Sequence, residues 1–327
     1  MPNDTTYDDE LLLHGHVVMT NEQYHAAPGE SKSKLDAMAI SPLAYWDAHE
    51  NPDREPREEK DCFMFGSGTH TLVLEPHLFE QEFAVGFDSS AYPDALDTVA
   101  DLKKELASRN LMVSGTKPEL VDRLIDSGFP SNRIMLSMRR EHDARTAGRT
   151  QISATDYKDM LGMLKSINGH HTAAGLIDGA YIEQSYFAKD PDTGILLKCR
   201  PDIITRNRQI VPDLKTTDDV STEGFSNTIY RRNYHMQAAI CLDILAYLYG
   251  DDAPKIFAFI AVQKKRPYDV NVVYLNDQQV EDGRRLYKRL LQQLVDCRCS
   301  GIWLGVDGGQ PNEAITPRWA QYLNEAA

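Results

Sequence analysis

Residues 181–217, YIEQSYFAKDPDTGILLKCRPDIITRNRQIVPDLKTT, alternate apolar and polar side chains across two turn signals, DPDTG at 190–194 and RNRQ at 206–209. A period of two marks strands, and clusters of Gly, Pro, Asn and Asp mark the reversals between them. The stretch reads as a three-strand meander with one apolar face. Ile195, Leu197, Cys199, Pro201 and Ile203 fall on that face, and Lys198, Arg200, Asp202 and Ile204 on the other. A turn centred between Asn207 and Arg208 sets Asp202 opposite Asp213. A turn centred between Asp192 and Thr193 sets Glu183 opposite Asp202. Three acids then stand side by side, with Lys215 on their face. Opposed residues have Cβ atoms about 4.5–5.5 Å apart, where like charges repel. Two explanations are open: an acidic solvent face with a stray lysine, or a shared divalent cation that gathers the carboxylate oxygens.

Composition narrows the class. A chain of 327 residues with 42% hydrophobic content can bury one large domain with a small insert. No apolar run approaches about 18 residues, so no membrane span is expected. The N-terminal MPNDTTYDDELLLHG is acidic and lacks the basic start of a secretory signal, which predicts a cytoplasmic protein. The cysteines Cys62, Cys199, Cys241, Cys297 and Cys299 are odd in number and scattered, as reduced thiols are. A formal net charge of −14 argues against a general basic coat but leaves room for a local basic groove.

The spacing of Asp202, Asp213 and Lys215, read as D–x10–D–L–K, resembles the PD-(D/E)XK nuclease core, with an aspartate at the last acidic position. The wider chain resembles the RecE-type (exodeoxyribonuclease VIII-like) nucleases. Four stretches carry this in family order: SKSKLDAMAISPLAYW (31–46), FGSGTHTLVLEP (65–76), LLKCRPDIIT…IVPDLKTTDD (196–219) and YRRNYHMQAAICLDIL (230–245). The resemblance implies metal ligands at His70, Asp202 and Asp213, with the Leu214 carbonyl as a further candidate. Glu183 is a ligand or a group behind one. Gln237 matches the glutamine of a QxxxY motif whose tyrosine position is here Cys241. Mg2+ is the implied cofactor, and Mn2+ also suits a site containing imidazole. Gly66 and Gly68 read as a tight lead into a helix beginning near Thr69, with His70 in its first turn. YHMQAAICLDIL reads as an amphipathic helix.

DTVADLKKELASRNLMVSGTKPELVDRLIDSG (97–128) resembles a SAP domain, a small helix–turn–helix module associated with DNA. Val99, Leu102 and Leu106 stripe its first helix, and Leu120, Val121 and Leu124 its second. Lys103, Lys104, Arg109, Lys117 and Arg123 are its candidate phosphate contacts, helped by helix N-termini. The alternative is a helical pair that packs on the core or binds protein. Arg133, Arg139, Arg140, Arg145 and Arg149, then Arg231, Arg232, Lys264, Lys265, Arg266, Arg284 and Arg285, are further candidates for a DNA groove.

Downstream, 152–171 reads as a core helix capped near Ser153, 255–275 as two strands joined around Lys265–Pro267, and 277–301 as a long helix. The expected architecture is α/β: a PD-(D/E)XK core, 1–93 and 129–327, with mixed sheet and flanking helices, interrupted by a SAP-like helical insert at 94–128. The expected function is metal-dependent exonucleolytic hydrolysis of linear double-stranded DNA. The resemblance implies 5′-to-3′ polarity in phage-type recombination. Its implied partners are DNA duplex ends, a single-strand annealing protein and further copies of the chain. A single-strand or endonucleolytic relative, or a non-catalytic SAP-type DNA-binding protein, are the alternatives.

Overall fold

The computed structural model describes residues 13–54 and 61–316, and the acidic residues 1–12 lie outside it. The fold is mixed α/β. Ten strands are present among the described residues: β1 Gly15–Val17, β2 Phe83–Val85, β3 Thr150–Ile152, β4 Tyr181–Ile182, β5 Ser185–Lys189, β6 Leu196–Cys199, β7 Ile203–Ile204, β8 Ile210–Thr217, β9 Ile256–Gln263 and β10 Val270–Tyr274. They form the sheets β1-β5-β6 and β10-β9-β8 and the pairs β2-β3 and β4-β7. β8 and β9 are parallel, β9 and β10 antiparallel. The helices Thr222–Arg231 and Tyr234–Tyr249 make the crossover that a parallel pair requires.

β9, IFAFIAVQ, is an unbroken apolar run because both of its faces are covered. Phe257, Phe259 and Ala261 enter a core shared with the helices Tyr234–Tyr249 and Asp277–Ser300. Ile260 and Val262 enter a second core with Leu72, Met160, Met163 and Ile167. Helix Tyr234–Tyr249 is buried nearly all round, from Met236 through Leu245 with Gln237 as the half-buried exception, so it is not the amphipathic helix its sequence suggested. It lies between the sheet and helix Asp277–Ser300, which covers Met236–Leu245 and leaves only its last turn, with Tyr247 and Tyr249, exposed. Gly283 sits at that contact: a Cβ there would lie 2.1 Å from the His235 carbonyl oxygen.

The helix bearing His70 runs Asp61–Leu74, so His70 is in its later half rather than its first turn. Gly66 and Gly68 are interior to it. The physical reason at Gly68 is close packing: a Cβ would meet Met160 Cε at 3.0 Å and Ile152 Cδ1 at 3.2 Å. Ser153 does cap the helix Ala154–Gly169, accepting from the Asp156 N–H.

The meander differs from expectation in two ways. β7 pairs with β4 and β8 with β9, so its strands are divided between sheets. Pro201 and Pro212 bring no N–H to a continuous ladder. Nor is there a single apolar face: β6 is buried on both sides, Lys198 included. The turns are as read. Thr205 N–H donates to the Ile210 carbonyl across residues 206–209. Tyr181 pairs with Ile204 and Ile182 with Ile203, the register that carries Glu183 to Asp202.

The helices Val99–Ser108 and Lys117–Asp126 have a small core of their own. Leu102, Leu106, Leu120, Val121, Leu124, Phe129 and Ile134 are buried together. Val99 is not part of that stripe; it is 40% exposed. Cys199, Cys241, Cys297 and Cys299 are free thiols, and the side chain of Cys62 lies outside the described residues. No helix among the described residues is long and apolar enough to cross a membrane.

Candidate active site

The site forms where the backbone breaks between β4 and β5 and where β7 leaves β8. Glu183 has φ 51°, a left-handed conformation that L side chains avoid. Its N–H still donates to the Asp202 carbonyl at 3.1 Å. The break ends β4 and turns the Glu183 carboxylate toward His70, whose Nδ1 lies 3.3 Å from Glu183 Oε1. On the other side of the ring, His70 Nε2 lies 2.6 Å from Asp202 Oδ2. Asp202 Oδ2 also accepts the Leu214 N–H at 2.8 Å, which ties it to β8.

Asp213, one residue earlier on β8, has no solvent exposure. Its Oδ2 pairs with Lys215 Nζ at 2.5 Å and its Oδ1 accepts from Gln237 Nε2 at 2.6 Å. Asp213 and Lys215 are two apart on a strand and so share a face, and helix Tyr234–Tyr249 brings Gln237 to that face. The structure thus brings His70, Glu183, Asp202, Asp213, Lys215 and Gln237 into one connected cluster. Leu214 joins it through its N–H.

Electrostatics reflect the crowding of acids. Burial and then the neighbouring Asp202 push Glu183 up to about 7, against His70 and Arg200. Burial and Asp202 likewise raise Asp213 to about 6, against Lys215. Burial works against the His70 imidazolium, yet Asp202 and Glu183 outweigh it and raise the ring to about 9. Burial opposes the Asp202 anion too, and His70 with its hydrogen bond holds that carboxyl below the usual range. Lys215 stays charged because Asp213 and Asp202 overcome its burial. His70 therefore carries the positive charge between the acids.

One nitrogen of His70 and one oxygen each of Glu183 and Asp202 lie within 4.8 Å of one another. Imidazole with carboxylates is a donor set that suits Mn2+ and accommodates Mg2+. The residues fit a divalent cation, and Asp213 lies outside that set of three donors.

Two residues that sequence reading passed over are built into the site. Arg200 donates from Nε to Glu183 Oε2 at 2.6 Å and from Nη1 to the Met19 carbonyl at 3.1 Å. Tyr234 lines a cavity of about 450 Å³ with Gly66, Ser67, His70, Lys215 and Thr216. A larger cleft, about 580 Å³, opens beside the cluster and is lined by Lys32, Lys34, Arg54, Lys198, Arg200 and Gln237 among others. Lys198 is almost fully buried there and donates to the Tyr24, His25 and Ala27 carbonyls at 2.8, 3.3 and 2.6 Å, which fixes the wall of the cleft. Alternation had put Lys198 and Arg200 on the Asp202 face, so that signal was available.

The predicted basic residues fall elsewhere. Arg231, Arg232, Lys264, Lys265 and Arg266 line neither cavity. Lys264 lies 3.5 Å from Asp218 and Lys265 2.6 Å from Asp159. Arg284 is a packing residue, donating to both oxygens of Asp243 and to Glu281. In the helical unit, Arg109 pairs with Glu105, Lys117 with Asp97, and Arg123 donates to the Met112 and Ser114 carbonyls. Lys103 and Lys104 are exposed.

The profile of a family described as "PDDEXK-like domain of unknown function (DUF3799)" matches residues 31–304. Among solved structures, a protein of Eubacterium rectale named as a candidate exonuclease is similar at 10% identity, with 73% of this chain and 94% of that one covered and a TM-score of 0.40. A phage-related exonuclease of Haemophilus somnus 129PT is similar at 12% identity, with 51% and 82% covered and a TM-score of 0.30. No curated protein matches the chain.

Proposed function

Because the chain belongs to this PDDEXK-like family, we propose that it is a metal-dependent DNA nuclease, an exonuclease that degrades linear duplex DNA from its ends in the 5′-to-3′ direction. The observation that carries the reading is the single cluster of His70, Glu183, Asp202, Asp213, Lys215 and Gln237 beside a basic cleft in an acidic chain. His70, Asp202 and Asp213 are the proposed metal ligands, with Glu183 and the Leu214 carbonyl completing the candidate set. A divalent cation there would polarise the phosphodiester and activate water. Lys215 offers a compact positive charge to the negative charge that develops on phosphorus oxygens. Gln237 orients Asp213, and Arg200 orients Glu183. Lys32, Lys34 and Arg54 are suited to phosphates of the bound strand.

The helical unit around Val99–Asp126 is proposed to be a SAP-like attachment that adds duplex affinity through Lys103 and Lys104. RecE-like recombination in the cytoplasm, with a single-strand annealing protein and a ring of identical copies, completes the proposal. The test is digestion of 5′- and 3′-labelled linear duplex with Mg2+ or Mn2+, beside a circular control. The expected result is early loss of the 5′ label with the circle intact. Cleavage of the circle would replace the exonuclease with an endonuclease.

A further inference from the structure

Two ammonium groups converge on one aromatic ring at the mouth of the site. Lys215 Nζ lies 5.0 Å from the centroid of Tyr234, and Lys32 Nζ lies 5.2 Å from the same centroid. Both distances are within the range where a ring quadrupole attracts a cation. The ring is held from several sides. Tyr234 opens the helix Tyr234–Tyr249, directly after Asn233 at φ 52°. That left-handed residue is pinned by its own side chain, which donates to Asp36 Oδ1 at 3.1 Å. Asp36 also pairs with Lys32 at 2.6 Å, so one carboxylate fixes both the turn before the ring and one of the two cations beside it. The ring itself packs 5.8 Å from Phe259 of β9.

We propose that Tyr234 is a positioning residue for Lys215, and that its ring, rather than its hydroxyl, keeps the ammonium aimed into the cavity that His70, Lys215 and Thr216 line. A lysine has four rotatable carbons and no planar fork to pre-set its direction. Asp213 holds Lys215 Nζ from one side, but the same carboxylate accepts from Gln237. Its grip on the ammonium weakens whenever those oxygens are engaged elsewhere. The ring is held in place independently of those oxygens, by its packing on Phe259 and by the Asn233 turn before it. Lys32, which also lines the larger cleft, makes the same ring the physical link between cleft and cluster. Sequence alone could not show this, since the crossover after β8 brings Tyr234 to Lys215 while Lys32 arrives on the separate helix Lys32–Ile40.

The inference rests on the nuclease reading for its kinetic consequence, but not for its structural one, so two measurements are paired. The first is steady-state cleavage of linear duplex by the full chain with Mn2+. Tyr234→Leu removes the ring at similar bulk, and the expected result is a fall in kcat of at least roughly tenfold with KM within about twofold. Tyr234→Phe keeps the ring and is expected to stay within about threefold of the unaltered protein. A thermal melt confirms that each variant is folded. The second is the NMR spectrum of the protein labelled with 13Cε-lysine, with Lys215 assigned by its loss in Lys215→Arg. A ring-current shift of the Lys215 signal is expected in the unaltered protein and in Tyr234→Phe, and its disappearance in Tyr234→Leu. An unshifted Lys215 signal, or full kcat in a folded Tyr234→Leu protein, overturns the proposal. If the unaltered protein cuts no DNA, the nuclease reading fails, and the labelled lysine alone decides whether the ring holds Lys215.

Discussion

Asp202 Oδ2 lies 2.6 Å from His70 Nε2, and Asp202 with Glu183 raises that imidazole to about 9 against the cost of its burial. A cation that takes His70 as a ligand must displace the ring's proton. Mn2+ affinity is therefore expected to rise steadily from pH 6.5 toward 9, with net proton release at pH 7.5. Calorimetry in buffers of different ionisation enthalpy measures that release. Affinity that is flat across this window would remove His70 from the ligand set.

The same shifts set the stability of the metal-free protein. Glu183 and His70 have folded values raised above their ordinary ones, to about 7 and about 9. Each contributes stability that is present below its ordinary value and lost as pH rises through its folded value. Asp202 acts in the opposite sense, and its contribution is lost as pH falls below the usual carboxylate range. Tm without metal is expected to decline as pH rises from about 5 through about 7 on account of Glu183 and on through about 9 on account of His70, and added Mn2+ to reverse the decline. A Tm that rises over this range without metal would contradict the charge arrangement.

Lys215→Ala is expected to abolish cleavage while DNA binding changes little, since the lysine acts on charge that develops only in the transition state; Tm should fall, because Asp213 loses the cation paired with it. Lys215→Arg is expected to fail as well, because a planar fork does not replace a compact ammonium 2.5 Å from Asp213. Turnover by either variant near the unaltered rate would take the lysine out of the mechanism.

Gln237→Leu removes the amide that donates to Asp213 Oδ1 at 2.6 Å. Loss of such a supporting group typically costs about 10–100-fold in metal affinity or activity, and both are expected to fall here with the fold intact. Gly283→Ala separates stability from chemistry. Its new Cβ would stand 2.1 Å from the His235 carbonyl, so Tm should drop, with a cost of about 1–3 kcal/mol typical of overpacking. Unchanged Tm in the alanine variant would show that the two helices can part.

The acid cluster was legible because turn length fixes register in a hairpin, and register fixes which residues meet. Glu183, Asp202 and Asp213 come together for that reason. What was not legible lies in the third dimension. Tyr234 reaches Lys215 through the helical crossover, and Lys32 reaches the same ring from the separate helix Lys32–Ile40. The burial of helix Tyr234–Tyr249 depends on Asp277–Ser300 covering it, which its own sequence does not record. Basic residues were the weakest guide. Arg284 and Arg123 look like phosphate contacts in sequence, yet Arg284 is engaged by Asp243 and Glu281, and Nη1 of Arg123 by two backbone carbonyls. Lys198 and Arg200 sat in plain view on the Asp202 face, but alternation reports a face and not what stands opposite it.

Lys103 and Lys104 give a test of the helical unit. Replacing both with Ala should lower affinity for long duplex and reduce the slope of log affinity against log salt by about 2, near 0.9 per phosphate contact. Cleavage of short duplex at saturation should persist. An unchanged slope would assign the unit to packing or protein contact.

The most direct measurement is anomalous diffraction from crystals soaked in Mn2+. A peak is expected within about 2.1–2.3 Å of His70 nitrogen and of Asp202 and Asp213 oxygens, with Glu183 rearranged from its contact with His70. Manganese bound elsewhere, with His70 still held between Glu183 and Asp202, would contradict this metal site.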